Sequence, residues 1–188
     1  MRTAVFMGSP RKGGNTQILL DEAMRGAREK GAEIAYFDLN NMKIGGCQDC
    51  GVCAETCCCH INDDMQLVYQ AIRESYRFIL ASPIFFAGVS AQAKAMIDRC
   101  QPFWCEKYLL KRPIPPEGRA GLFITVGGMK KAEGRDCSFA TARSFFRTIS
   151  VLEHRELCQL GVDARGEILK HPEALKEAYE AGKALMEP

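Results

Sequence analysis

The sequence predicts an open, doubly wound α/β fold: five parallel strands in the order 2-1-3-4-5, helices on both faces, and a cysteine-rich insertion after the second strand. Three observations carry this expectation. Short apolar runs alternate with amphipathic stretches along the chain, and right-handed β-α-β crossovers are the simplest way to connect them. The loops after the first, third and fourth runs are the ones rich in Gly, Ser, Pro and Thr. With 188 residues and 47% hydrophobic content, the chain suits one domain, residues 1–188, whose core is large enough to fold without cross-links.

Taken in order, Thr3 to Met7 reads as a buried parallel strand that stops at Gly8-Ser9-Pro10. Ile18, Leu19, Ala23, Met24 and Ala27 then recur at helical spacing between Gln17 and Lys30, with Asn15 or Thr16 available as a cap and Gly31 closing the last turn. Glu33 to Leu39 alternates around Ile34, Tyr36 and Phe37, as expected of a strand near a sheet edge. Asp63-Asp64 opens a helix carrying Met65, Val68, Tyr69 and Ile72 on one face, and the plainest role for both carboxylates is capping. Phe78 to Ala81 is a third buried strand ending in Ser82-Pro83, followed by one helix from Ser90 to Cys105.

Arg112-Pro113-Ile114-Pro115-Pro116 reads as an extended connector, and Gly121 to Val126 as a fourth strand running into Gly127-Gly128. A polar loop from Met129 to Asp136 precedes a helix around Ala140 to Leu152. A weaker fifth strand, Arg155 to Leu160, leads to a last helix, Pro172 to Met186, whose proline suits a first turn. A formal charge of +2 and a pI near 8.0 give no electrostatic case for nucleic acid or an anionic membrane. The most apolar window, Phe78 to Ala93, is broken by Ser82-Pro83 and Gly88, so a soluble, cytoplasmic protein is expected.

Chemistry concentrates in residues 45–62, where six of the ten cysteines lie between Cys47 and Cys59. Cys47, Cys50 and Cys53 form C-x2-C-x2-C, a spacing that turns three thiolates toward the inside of one tight bend and suits corners of an iron–sulfur cube. For the fourth corner, Cys58 or Cys59 loops back more easily than Cys57. Competing readings are zinc held by three cysteines and His60, an empty redox-active thiol cluster, and paired disulfides.

Two loops suit a second group. Gly8-Ser9-Pro10-Arg11-Lys12-Gly13-Gly14-Asn15-Thr16-Gln17 offers backbone N–H groups, hydroxyl and amide donors and two cations, which suits a phosphate. It is neither a Walker loop nor G-x-G-x-x-G, so a phosphate monoester is expected in preference to a nucleoside triphosphate. Ser82-Pro83-Ile84-Phe85-Phe86-Ala87-Gly88-Val89-Ser90 sets two adjacent aromatics at the carboxyl end of a strand, where a flat ring such as an isoalloxazine would cover them; alternatively, one turns inward to cap the core. Thr125-Val126-Gly127-Gly128 would let backbone approach the other edge of that ring.

These motifs together, with Lys94-Ala95-Met96-Ile97-Asp98-Arg99, resemble the NADPH-dependent FMN reductase superfamily and, within it, the iron–sulfur flavoproteins. The resemblance covers the chain to about Thr125 in motif detail. It implies a flavodoxin-like fold, FMN, and a homodimer or homotetramer in which the cluster of one subunit lies close to a neighbour's flavin. Carried over, the phosphate loop falls on Ser9, Arg11, Gly14, Asn15, Thr16 and Gln17, and the ring-contacting loops on Pro83, Ile84, Phe85, Phe86, Gly88 and Gly127. The 4Fe-4S motif falls on Cys47, Cys50 and Cys53, with Cys59 as fourth ligand from its distance to Asp63-Asp64. Two departures stand out: Phe85 occupies a position where tyrosine is common, and Cys57-Cys58 precede the fourth ligand.

The function this implies is FMN-dependent electron transfer between a 4Fe-4S cluster and FMN, with a ferredoxin or NAD(P)H as redox partner and no residue needed as a general acid. One alternative is an NAD(P)H-dependent FMN or quinone reductase without a cluster. Another is a non-enzymatic thiol or zinc redox sensor. Cys100, Cys105, Cys137 and Cys158 read as thiols without a role.

Overall fold

The computed structural model describes residues 1–112 and 118–187. Five parallel strands, β1 (Arg2–Met7), β2 (Glu33–Asp38), β3 (Arg77–Phe85), β5 (Ala120–Gly127) and β6 (Glu153–Leu160), lie in the order β2-β1-β3-β5-β6. A two-residue strand, β4 (Gly88–Val89), folds back antiparallel on β3, pairing Val89 with Ile84 and Gly88 with Phe85. Without β4, this is the 2-1-3-4-5 order expected from the sequence, and β2 is indeed an edge.

Strand side chains alternate between two cores, as a period of two requires. Phe6, Phe78, Leu80 and Phe123 join the core under α3 (Met65–Glu74), α4 (Ala91–Asp98) and α6 (Glu133–Thr148). Val5, Ile79, Ala81 and Ile124 join the opposite core under α1 (Asn15–Glu29) and α7 (Pro172–Ala184). α1 and α7 meet through glycines: a Cβ on Gly182 would stand 1.9 Å from the Ala23 carbonyl oxygen, and one on Gly26 would stand 2.1 Å from that of Tyr179. Backbone therefore rides on backbone at this contact. On the other face, buried Arg119 donates to the carbonyls of Ile149 (2.8 Å) and Ile72 (2.9 Å), satisfying groups at the ends of α6 and α3.

Several expected boundaries shift, each for a local reason. β3 runs on through Pro83 to Phe85; β1 has already ended opposite Ala81, so proline stands where a full ladder is no longer required. The single helix expected from Ser90 to Cys105 is three pieces: α4, a short α5 (Gln101–Trp104) and a π-helical turn, Cys105–Leu109. Pro102 explains the break, since it has no N–H and its ring clashes with the carbonyl four residues back.

α6 begins at Glu133, inside the expected polar loop, because Gly134 packs on Ile84 of β3 and the Ser138 hydroxyl donates to the Gly134 carbonyl at 2.9 Å. Ser150, with φ +63°, ends the helical run early. Of the connector expected at 112–116, Pro113 to Pro116 lie outside the described residues. Among the described residues, no helix is long and apolar enough to cross a membrane.

Candidate functional site

The loop from β1 to α1 opens at the carboxyl end of the sheet. Gly14 caps α1 without a side chain, so the N–H groups of Asn15, Thr16 and Gln17 in the first turn have no intrahelical acceptor. A Cβ on Gly14 would meet the Arg11 carbonyl oxygen at 2.9 Å, so the turn closes only with glycine there. Ser9 Oγ accepts from the Arg11 N–H at 3.2 Å, and Gln17 Oε1 accepts from the Gly13 N–H at 2.7 Å, holding the loop in shape.

Asn15 braces the loop from behind: its amide donates to the Ala164 carbonyl at 2.9 Å and accepts from the Ile168 N–H at 3.2 Å. Its side chain is thereby committed, and what it offers a ligand is its backbone N–H.

Ser9, Arg11, Gly14, Asn15 and Thr16 share one open crevice with Pro83, Ile84 and Phe85 of β3 and with Gly127. Val126, Gly128, Val162 and Asp163 complete it. Val126 and Gly128 belong to the stretch expected at the ring's edge, whereas Val162 and Asp163 were not among the expected residues. The loop after β6 adjoins that after β5 in the sheet, which is the signal that would have found Val162 and Asp163. Arg11 spans the crevice, its Nη1 donating to the Asp163 carbonyl at 3.1 Å. Gln17, Phe86 and Gly88 do not line it.

Gly88 pairs with Phe85 across the β3–β4 hairpin, and Phe86 is its fully exposed tip. Phe86 and Ala87 both have positive φ, +46° and +60°, the backbone demanded by a two-residue hairpin. Neither aromatic turns inward to cap the core: Phe85 is 43% exposed on the crevice wall. The space a Gly127 side chain would take is filled by Ile84, at 3.0 Å, so this glycine admits Ile84.

A buried serine pair fastens the hairpin to the loop after β1. Ser90 Oγ donates to the Gly8 carbonyl at 2.5 Å and accepts from the Ala93 N–H at 3.3 Å, while the Ser90 N–H donates to Ser82 Oγ at 2.9 Å. Ser90→Ala removes a helix cap and strands a buried carbonyl together. It is expected to lower stability by about 1–3 kcal/mol, read from the midpoint of urea unfolding.

The cysteine segment lies on the α4–α5 side. α2 (Val52–Thr56) forms part of it, between left-handed Gly51 and Cys57. Cys47, Cys50, Cys53 and Cys59 line one cavity of about 200 Å³ together with Arg99, Trp104 and Cys105. Cys57 and Cys58 open with Cys59 onto a different cavity, beside Tyr69 and Arg73. Among the described residues, no three thiol, imidazole or carboxylate groups are gathered tightly enough to hold a metal ion; the four thiols share a wall without converging.

Cys105 was expected to have no role, but it stands in this wall, its Sγ 3.8 Å from that of Cys53. Burial and this neighbour push the Cys53 thiol up to about 11. His60 Nδ1 is 3.3 Å from Cys50 Sγ.

Asp63 and Asp64 do more than cap α3. Asp64 makes no side-chain cap bond and instead accepts from the Lys43 N–H at 2.7 Å. Asp63 Oδ1 accepts from the Met65 N–H and Oδ2 from the Gly45 N–H, both at 3.1 Å, and the carboxylate forms a two-point ion pair with Arg99. Burial pushes the Asp63 carboxyl up, but Arg99 and these N–H groups outweigh it and hold it below the usual carboxylate range.

A family model described as NADPH-dependent FMN reductase matches residues 1–152. An iron–sulfur flavoprotein of Archaeoglobus fulgidus is 36% identical over 121 residues, 64% of this chain and 59% of that protein, so the match leaves a good part of that relative uncovered. An iron–sulfur flavoprotein of Methanocaldococcus jannaschii is 30% identical over 152 residues, 81% of this chain and 75% of the relative. Among solved structures, an NAD(P)H:quinone oxidoreductase from Methanothermobacter marburgensis has the same fold, with a TM-score of 0.76 at 15% identity over 100% of this chain and 98% of the other. Taken with the open crevice at the carboxyl ends of β1, β3 and β5, the match over residues 1–152 means that this chain belongs to the NADPH-dependent FMN reductase family, a family of flavin-dependent oxidoreductases.

Proposed function

We propose that the chain is an FMN-dependent electron-transfer oxidoreductase that also carries a 4Fe-4S cluster on Cys47, Cys50, Cys53 and Cys59. The observation that carries this reading is the shared cavity: the C-x2-C-x2-C cysteines and Cys59, but neither Cys57 nor Cys58, form its wall. Four soft thiol donors are the ligand set such a cluster needs. The likeness to iron–sulfur flavoproteins supports it from outside the chain.

The crevice suits FMN on chemical grounds. Unpaired N–H groups at the start of a 15-residue helix, with Arg11 beside them, favour a phosphate dianion, and half-exposed Phe85 offers a flat apolar surface. When bound, the cluster supplies one-electron storage and FMN supplies one- or two-electron chemistry. Arg11 neutralises phosphate charge, the 15–17 turn orients it, and Pro83, Ile84 and Phe85 exclude water from one side of the crevice. Phe85 has no hydroxyl, and no side chain is assigned a proton. A homodimer or homotetramer would bring the cysteine segment of one subunit to the crevice of another, with a ferredoxin or NAD(P)H as the redox partner.

The test is an absorption spectrum of anaerobically purified protein with iron and acid-labile sulfide assayed on the same sample. A flavin spectrum over a broad iron–sulfur shoulder, with about four irons per chain, is the expected result. Flavin alone after attempted reconstitution overturns the cluster. The family match over residues 1–152 would then favour a second reading, an NAD(P)H-dependent FMN or quinone reductase, recognised by steady NAD(P)H oxidation.

A further inference from the structure

Arg99 is 1% exposed and heads the largest fully buried side chains, a costly place for a guanidinium unless every donor has work to do. Its Nη1 donates to the Gly45 carbonyl at 2.9 Å and to Asp63 Oδ2 at 2.7 Å; its Nη2 donates to Asp63 Oδ1 at 3.1 Å and to the Ile61 carbonyl at 3.4 Å. Gly45 and Ile61 stand immediately outside the stretch that holds all six clustered cysteines. The chain therefore enters and leaves the cysteine loop at one ion pair, and Asp63 binds the entering strand a second time through the Gly45 N–H.

Among the described residues the Arg99 Nε is buried without a partner, as is that of Arg119. Arg99 forms part of the cavity wall with the four cysteines. The Tyr69 hydroxyl donates to the Arg99 carbonyl at 2.6 Å, and Tyr69 lines the neighbouring cavity with Cys59.

We propose that Arg99 is the positioning residue of the cluster site: it closes the neck of the cysteine loop so that Cys59 meets Cys47, Cys50 and Cys53, and it sets a fixed positive charge beside the anionic group they hold. The proposal rests on the cluster assignment above. A cluster with four thiolates becomes more negative by one charge on reduction, so a cation in its wall favours the reduced form and raises its potential. Lysine would keep the charge but lose the fork that grips both ends of the loop.

Three variants, Arg99→Lys, Arg99→Gln and Asp63→Asn, are compared with the parent as full-length, FMN-loaded protein. After anaerobic reconstitution with ferrous iron and sulfide, the midpoint potential of the cluster is read by titration followed by EPR. In cluster-free protein, the rate at which iodoacetamide labels the half-buried Cys53 and Cys59 is read by mass spectrometry, with exposed Cys47 and Cys50 as references. Arg99→Gln is expected to disfavour the reduced cluster about tenfold, a fall of about 59 mV for one electron, while Arg99→Lys stays near the parent potential. All three are expected to label at least about tenfold faster, since each loses hydrogen bonds to a charged group.

An unchanged potential in Arg99→Gln overturns the electrostatic role, and parental labelling rates in all three overturn the clasp. Should the parent take up no iron, the cluster assignment fails by that result, and labelling alone decides the clasp. Should Arg99→Gln fail to fold, Asp63→Asn decides it, because it opens the neck with the arginine still present.

Discussion

Alanine at Cys59 is expected to leave a yellow, FMN-loaded protein without an intact cluster, while alanine at Cys57 or Cys58 leaves iron at the parental level. The three adjacent cysteines face different surroundings. Cys57 is buried in a left-handed turn and accepts from Arg112 Nη1 at 3.5 Å; the Cys58 N–H is held by Thr56 Oγ1 at 3.2 Å. Cys59 alone of the three shares the cavity of Cys47, Cys50 and Cys53. A cubane with three protein thiolates has one corner open to exchange and loss, so iron per chain should fall from about four to about three or fewer. Cys50→Ala should behave like Cys59→Ala. Cys53→Ala is the weaker probe, because Cys105 stands 3.8 Å away and can offer a substitute thiol. Full iron in Cys59→Ala would sink the assignment and pass the fourth position to whichever neighbour loses iron.

Arg11→Ala is expected to produce the reverse phenotype: a cluster at parental iron content and FMN bound about 10- to 100-fold more weakly. A hydrogen bond to a charged group contributes about 1.5–3 kcal/mol, and each 1.4 kcal/mol is a factor of ten. The separation follows from the architecture. Arg11 lies between the loop after β1 and the Asp163 carbonyl, whereas the cysteine cavity is walled by α2, α5 and the residues around them. Titration of flavin-depleted protein with FMN, followed by fluorescence quenching, measures the effect. Loss of iron with unchanged FMN affinity would contradict the placement of both groups.

The alternation of strand and helix was legible because it depends on periodicity, which is local. The glycine-rich loop after β1 and the C-x2-C-x2-C run stood out because their patterns are local in sequence. What escaped depends on neighbours far along the chain. The first turn of α6 is polar by composition and helical because Gly134 fits against Ile84. The hairpin at Phe86-Ala87 carries neither of the residues usually found in such a turn, so its left-handed backbone left no mark in the sequence. Val162 and Asp163 reach the crevice only because β6 lies beside β5. Cys105 was read as an isolated thiol since it follows the cysteine run by more than forty residues; Pro102 breaks the helix and the π turn then sets Cys105 against Cys53. Arg99 was visible in its motif, but its grip on Gly45 and Ile61 was not.

The glycine seam between α1 and α7 bears on when the molecule matures during its own synthesis. α1 begins at the phosphate loop, yet the face carrying Leu19, Leu20 and Ala23 is completed by a helix that spans Pro172–Ala184. As the chain leaves the ribosome from its N-terminal side, the loop emerges well before the helix that covers α1. Contacts this distant in sequence form late, because their loop must close before they can stabilise anything. The loop after β1 is thus translated long before its helix is covered and held rigid.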